Sequence, residues 1–280
     1  DIAQQQRFFA YIAQLQTQIG DDGKPLFTIP SALSSHDAVW RALDKLPFAD
    51  WLTQNGYTAP SLRWYLDYAC KDDYGINSQE TSAWAGLHYF ASRKGEGQSA
   101  GETLQHAVLT WPNGLAHIAD YLYQKIPAVQ RINGMAVQAE ESADGVQLTI
   151  WNPDTQVRIN LHAQQVICAT PLQVAWRLFA PQMQALGYHA KQHQPHQAAW
   201  QISNFALKRA PDEALGAQLA WDNIVYPSQS LGFVHSQHQS IRQSSLGQAC
   251  VLTAYHAYAG QSPSAVRQHL LAQDKNTLFD

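Results

Sequence analysis

Four consecutive apolar residues, Val166-Ile167-Cys168-Ala169, constrain the fold more than any other stretch of this chain. The segments before them alternate: Gly134 to Glu140, Val146 to Trp151 and Val157 to Leu161 place apolar side chains at roughly every second position. Turn signals separate these segments at Ala143-Asp144-Gly145 and Asn152-Pro153-Asp154. An alternating meander can leave one face in water, whereas a run apolar on both faces belongs between the layers of an α/β domain. The pattern predicts a three-stranded meander and then a buried strand that ends at Thr170-Pro171. Upstream, Pro112-Asn113-Gly114 supplies a turn, and Leu115, Ile118, Ala119 and Leu122 follow at helical spacing. Helix, meander and buried strand amount to half of a nucleotide-binding type of domain, without the other half.

The flanks read differently. Residues 2–19 carry Phe8, Ile12, Leu15 and Ile19 at helical spacing, and Gly20-Asp21-Asp22-Gly23 ends the pattern. Ser34-Ser35-His36-Asp37 is a capping run before Val39, Trp40 and Leu43. Leu46 to Gln54 and the stretch opening at Pro60-Ser61 predict two more helices. A segment from Thr81 to Arg93 follows, in which small residues alternate with Trp84, Tyr89 and Phe90. After Pro171 come a helix, a His- and Gln-rich connector and strand-like runs over 199–207, 218–226, 232–238 and 250–258. A helix over 264–280 closes the chain. The expected class is α+β with an α/β element: a helical block, a partial layered domain and a mixed sheet. The corresponding divisions are 1–104, 105–180 and 181–280.

Composition narrows the functional classes. With 45% hydrophobic residues, nine Trp and twelve Tyr, the 280-residue chain has ample material for a core. A net charge of −4 gives no polyanion-seeking surface, so nucleic acid is not an expected partner. No run approaches the ~20 apolar residues of a spanning helix, and no secretory signal is visible, so the expectation is a cytoplasmic protein. Cys70, Cys168 and Cys250 are too widely spaced for a disulfide framework or a metal site and read as buried small hydrophobes.

Several motifs compete for attention. Gly95-Glu96-Gly97-Gln98-Ser99-Ala100 fits G-x-G-x-x-A on paper. However, no buried strand precedes it and no acidic residue follows at the required distance of ~20 positions, so it is rejected as a dinucleotide fingerprint. His189, His193 and His196 would share a helical face, but Pro195 interrupts it, and no metal is expected. Asp72 and Asp73 are adjacent and cannot share a helix face, which favours a cap or an ion pair over an acid–base pair.

Five stretches in order resemble one family, the FAD-dependent amine oxidases with their desaturase and protoporphyrinogen-oxidase relatives. TWPNG before a helix resembles that family's turn at the crossing between its FAD and substrate domains, and VICATP resembles its V-I-x-A-x-P strand end. SLRWYLDYACKDDYG, SAWAGLHYFASR and LAWDNIVYPSQSLGFVHSQHQ look like a bacterial subgroup of flavin amine oxidoreductases. The resemblance implies that 105–180 is the central FAD-domain piece and that 1–104 and 181–280 belong to the substrate domain. It also implies that the family's glycine-rich phosphate loop and C-terminal FAD segment lie outside this sequence.

Carried over residue by residue, the resemblance places Met135 or Val137 at the adenine end of FAD, through backbone hydrogen bonds. Ala169, Thr170 and Pro171 match the turn that approaches the cofactor. Asn113, Gly114 and Leu115 match the turn and helix start that face flavin and substrate, with Trp111 and Trp200 as candidate substrate walls. Several family oxidases place a Lys beside the flavin in the strand after the V-I-x-A-x-P helix. Trp200 stands near that position here and the first Lys is Lys208, which leaves oxidase, dehydrogenase and desaturase chemistry open.

The resulting expectation is part of a flavoprotein that oxidises a small organic substrate by hydride transfer to flavin. The chain alone would be inactive and would bind FAD weakly or not at all, and it would associate through exposed apolar surface. Its partners would be the small-molecule substrate and the absent FAD-domain segments. The alternative is a non-catalytic binding or scaffold module derived from the same fold. A histidine-based metallohydrolase is a third and weaker reading.

Overall fold

The computed structural model describes residues 1–93, 111–211, 219–235, 249–274 and 277. The segment 95–100, with its fingerprint look-alike, lies outside them. The chain forms two compact units, one of residues 1–114 with 197–280 and one of residues 115–196.

The first unit begins with helices α1 (Ile2–Thr17), α2 (Ala38–Arg41), α3 (Phe48–Gln54), α4 (Pro60–Tyr74) and α5 (Ala83–Ala91). Phe8, Ile12 and Leu15 of α1 fall four and three residues apart, so one stripe of that helix is buried. Phe8 meets Phe9, Tyr57 and Phe90 edge-on at 5.4–5.5 Å, a geometry that aligns ring edges with ring faces. Polar side chains of α1 tie down neighbouring helix ends. Arg7 lies over the Tyr57 ring and donates to the carbonyls of Asn55 and Gly56 after α3. Gln4 accepts from the N–H groups of Thr58 and Ala59 just before α4. Ser82 caps α5 by accepting from the Ala85 N–H, and its hydroxyl donates to Asp44. Gly86 lets α5 close on α3, because a Cβ there would stand 2.5 Å from the Phe48 ring.

The same unit carries a four-stranded antiparallel sheet of β4 (Trp200–Leu207), β5 (Asp222–Asn223), β6 (Gly232–His235) and β7 (Cys250–Ala257), in the order β4-β7-β6-β5. Tyr68, Leu231 and Ala257 are buried together, with Trp64, Trp200 and Tyr255 packed around them. Trp64 Nε1 donates to the Ser228 carbonyl, so α4 is fixed to the sheet by ring packing and by a directed bond. Helix α9 (Pro263–Ala272) closes the unit. Over the described residues 219–226 the strand expected at 218–226 reduces to the two residues of β5, and Trp221, Val225 and Tyr226 are exposed.

The second unit contains α6 (Ala116–Gln124), β1 (Met135–Ser142), β2 (Gly145–Asn152), β3 (Val157–Ala163), α7 (Leu172–Ala185) and α8 (Ala190–His193). The meander pairs in the order β1-β2-β3 with the turns the sequence predicts. The expected buried strand does not form. Residues 166–169 follow β3 outside any sheet, and Ile167 is 95% exposed. Cys168, read as a buried hydrophobe, is exposed, whereas Cys70 and Cys250 are buried as expected. The reason is physical: an apolar run becomes a buried strand only when strands flank it, and no described strand pairs with this one. Among the described residues Ile150 is the one buried hydrophobic side chain of this unit, at 8% exposure.

Candidate functional site

The second unit holds a cavity of about 480 Å³ between β1 and α7. Its β side is Met135, Ala136 and Val137, and its helical side is Gln173, Val174, Arg177 and Leu178. Positions 173, 174, 177 and 178 are one face of a helix, so periodicity alone gathers them. The helix starts at Pro171, whose carbonyl accepts from the N–H groups of Val174 and Ala175. It kinks at Phe179, just past the cavity, where Pro181 interrupts the hydrogen-bond ladder.

β1 is an edge strand, and its pairing with β2 slips between Ala136 and Gln138. Val137 is the residue the register skips, the mark of a β-bulge, which leaves one residue out of the ladder and is common beside functional sites. A meander wall with a bulged edge residue, facing an apolar helix face that carries one guanidinium, suits a flat apolar group with polar edges.

The other predicted residues fall elsewhere. Ala169 and Thr170 are exposed, and the Thr170 hydroxyl lies 3.1 Å from Cys168 Sγ. Pro171 precedes the helix whose next turn lines the cavity. Trp111 is half-buried, Asn113 is exposed, and Gly114 takes φ +59° in the turn before α6. Leu115 stands at the head of α6 and is 76% exposed. Trp200 packs with the Tyr68 cluster and against the turn at Gly75. Among the aromatics of 81–93, Trp84 stacks on His88 and Tyr89 lies under the Arg93 guanidinium. Among the described residues no group of three or more His, Cys, Asp or Glu is placed to hold a metal. His193 Nδ1 accepts from the His189 N–H.

The first unit has two polar groupings. A cavity of about 390 Å³ is lined by Asp67, Lys71, Gln229 and His256 among others. Asp67 is satisfied there by Lys71 at 2.8 Å and by the N–H and hydroxyl of Ser78, each at 2.8 Å. The second grouping surrounds Asp72. Its neighbour Asp73 pairs with Arg93 at 2.9 Å, the ion-pair role expected of this dipeptide. Asp72 instead has its carboxyl raised by burial and by the nearby charges of Asp222 and Asp73. Burial and the carboxylates of Asp222 and Asp72 also raise the Tyr68 hydroxyl.

Reading the sequence missed Arg177 and the Asp72–Asp222 proximity. An arginine on a helix otherwise reads as a solvated position. The partner of Asp72 lies 150 positions away, and no spacing rule reaches that far. The bulge at Val137 is likewise invisible in an alternating pattern.

No protein-family model and no curated protein matches the sequence. Solved structures do match in fold. A triple mutant of putrescine oxidase, made for redesign of its cofactor binding, aligns with TM-score 0.64 and 14% identity over 98% of this chain and 54% of its own. The wild-type putrescine oxidase bound to putrescine aligns with TM-score 0.63 and 13% identity over 98% and 55%. The chain therefore has an amine-oxidase-like fold and spans about half the length of the solved structures it matches.

Proposed function

We propose that this chain is the central part of an FAD-dependent oxidoreductase of the amine-oxidase type, acting on a small organic substrate. The observation that carries the reading is the alignment of nearly the whole chain with about half of a putrescine oxidase. The fold likeness agrees with the TWPNG turn, the meander and VICATP, which suggest the same family independently of it.

The residues of the second unit fit the adenine end of such a cofactor. Val137 is left out of the β1–β2 register, so its backbone is the natural hydrogen-bonding edge for a base. A strand residue offers an N–H and a C=O side by side, and adenine presents an acceptor nitrogen next to its amino donor. Met135 and Val137 line the apolar cavity beside that edge. A flavin held there would supply the chemistry of hydride acceptance from a C–H bond of the substrate. The chain's own contribution is position and environment. Asn113, Gly114 and Leu115 form the turn and helix start assigned to the flavin and substrate side, and Ala169 to Pro171 form the approach to the cofactor. The exposed apolar side chains of residues 115–196 are the surface that the remaining FAD-domain segments would cover.

The test is to express the full open reading frame that contains this chain, purify it and record its visible spectrum. Flavin absorbance that bleaches when a primary amine is added without oxygen is the expected result. A colourless full-length protein that takes up no FAD overturns the reading and favours the scaffold alternative.

A further inference from the structure

The polar cavity of about 390 Å³ in the first unit is left unused by the proposed function. Helix α4, the turn after it, the loop before β6 and the end of β7 supply its walls, through Lys71, Asn77, Gln229 and His256. The charges in this lining cancel. Lys71 Nζ donates to Asp67 at 2.8 Å and to Gln229 Oε1 at 3.3 Å. Burial first, and then the Lys71 charge, hold the His256 imidazole below its ordinary range, so the ring is neutral at pH 7.

The amides of the lining are oriented. Asn77 Oδ1 accepts from the N–H groups of Gln79 and Glu80, which leaves its amino group to donate. That amino group lies 3.2 Å from where a Cβ on Gly260 would stand, and the Gly260 N–H is tied to Glu80 at 2.9 Å. Gln229 has its carbonyl taken by Lys71, so its amino group is left over as well. Among the described residues no partner bonds the side-chain amides of Gln79 and Gln261 or the ring nitrogens of His256. Tyr258 meets the His256 ring edge-on at 4.6 Å and adds an aromatic surface.

These features define a ligand class by exclusion. A charged ligand would enter a lining whose opposite charges already satisfy each other, and its own charge would go unpaired. An apolar ligand would strip water from the amides and return no hydrogen bonds. A hydroxyl both donates and accepts, so several on one small ring can answer amino groups, whole amides and a neutral imidazole together. The volume sits near the small end of the range for ligand pockets, about 300–1,000 Å³, which suits one or two rings rather than a polymer. We infer that the cavity walled by Lys71, Asn77, Gln229 and His256 binds a small neutral polyhydroxyl ligand of the monosaccharide class. The site uses residues of the first unit alone and does not rest on the flavoprotein reading.

The experiment follows the full 280-residue chain by ligand-observed NMR with glucose, galactose and mannose as probes. Glucosamine, glucuronate and cyclohexanol serve as cationic, anionic and apolar counterparts. At least one neutral hexose should bind about tenfold more tightly than each counterpart, the worth of one or two hydrogen bonds gained or left unmade. Gln229→Ala and Gln261→Ala should each weaken that hexose about two- to tenfold. Asp67→Asn gives a readout that a merely structural role would not move. It leaves Lys71 without its carboxylate, so glucuronate should overtake the neutral hexose. Absence of binding by all three hexoses at millimolar concentration overturns the inference. Hexose binding that neither amide substitution weakens lies elsewhere on the chain and overturns the site. A counterpart that binds the wild type as tightly as the hexoses, or a preference that Asp67→Asn leaves unmoved, overturns the role of the cancelled charges. Gln229 and Gln261 are exposed, so their substitution keeps the fold, and their result decides the site even where Asp67→Asn proves unstable on thermal melts.

Discussion

Gly75 joins the helical block to the sheet of the first unit, and replacing it tests whether that junction is as tight as it is drawn. It ends α4 at φ +70°, the left-handed conformation that donates its N–H to the Lys71 carbonyl. A Cβ at this position would fall on Trp200 Nε1 and 2.5 Å from the Ala198 Cβ. Two costs therefore add in Gly75→Ala. The left-handed backbone costs a residue with a Cβ about 1–2 kcal/mol. Forcing a methyl into the packed junction costs about 1–3 kcal/mol more. The sum, about 2–5 kcal/mol, is a large fraction of the stability of an ordinary domain. Urea unfolding followed by far-UV circular dichroism should show the midpoint falling by about 1–2 M. Gly75→Asn separates the two costs, since Asn tolerates the backbone but keeps the Cβ. In a Trp200→Ala background Gly75→Ala should cost at least about 1 kcal/mol less, a coupling within the range of directly touching residues. A Gly75→Ala protein within about 0.5 kcal/mol of the wild type, or one that Trp200→Ala does not relieve, would refute the argument.

Three further outcomes follow from the charges and thiols. Burial works to raise the Asp67 carboxyl, but Lys71 and the two Ser78 donors outweigh it and hold the group below its usual range. Its contribution is thus complete above the ordinary carboxylate range and is lost as pH falls through the lowered value. Asp67→Asn should cost about 1–2 kcal/mol at neutral pH, with the gap to wild type closing in strong acid on melts run from pH 7 downward. Asp72 has the opposite sign. Its raised carboxyl stabilises the fold only while protonated, so Asp72→Asn should raise the melting temperature at pH 7 and leave it unchanged near the acid end of the same series. Among the thiols, burial pushes Cys70 up to about 12 and Cys168 is exposed, so a chromogenic disulfide reagent should titrate one fast thiol in the native chain and three after unfolding.

Where the sequence was legible, each pattern met its partner inside the chain. The stripe Phe8, Ile12 and Leu15 is read correctly because α3, α4 and α5 present matching apolar faces to it. The meander is read correctly because both of its turns and its alternation are local signals. Over its described residues the stretch 218–226 falls short because Trp221, Ile224, Val225 and Tyr226 have strand-like composition while the ladder to β6 takes in Asp222 and Asn223 alone, extended by one bond from the His235 N–H to the Trp221 carbonyl. At the candidate site, Met135 and Val137 were legible only as alternatives on the same strand, with the register open. The bulge that distinguishes Val137 is a property of the pairing with β2, not of the residues themselves.

Val166–Ala169 does not form the buried strand expected of it, and α6 forms as expected but leaves its apolar residues exposed, for a shared reason. Periodicity and apolar runs state that a face is to be buried; they do not state by what. In the helical block the stripe Phe8, Ile12 and Leu15 of α1 is answered, and Phe8, Leu66 and Leu87 are fully enclosed, although Ile19 and Val39 stay exposed. In residues 115–196 the same grammar goes unanswered: α6 has its apolar residues at helical spacing, yet Leu115 and Leu122 are exposed, as are Val129 and Ile167. A surface that ordinary stability would have made polar keeps its apolar side chains only where something else is meant to lie against it. The fold likeness to about half of a longer solved structure is in keeping with such a covering, and residues 115–196 contain both the uncovered faces and the cavity at Val137. The uncovered apolar surface and the proposed cofactor site therefore lie in the same unit. If residues 115–196 proved to bury those faces by pairing two copies of this chain, the cavity would lose its claim to a nucleotide along with them.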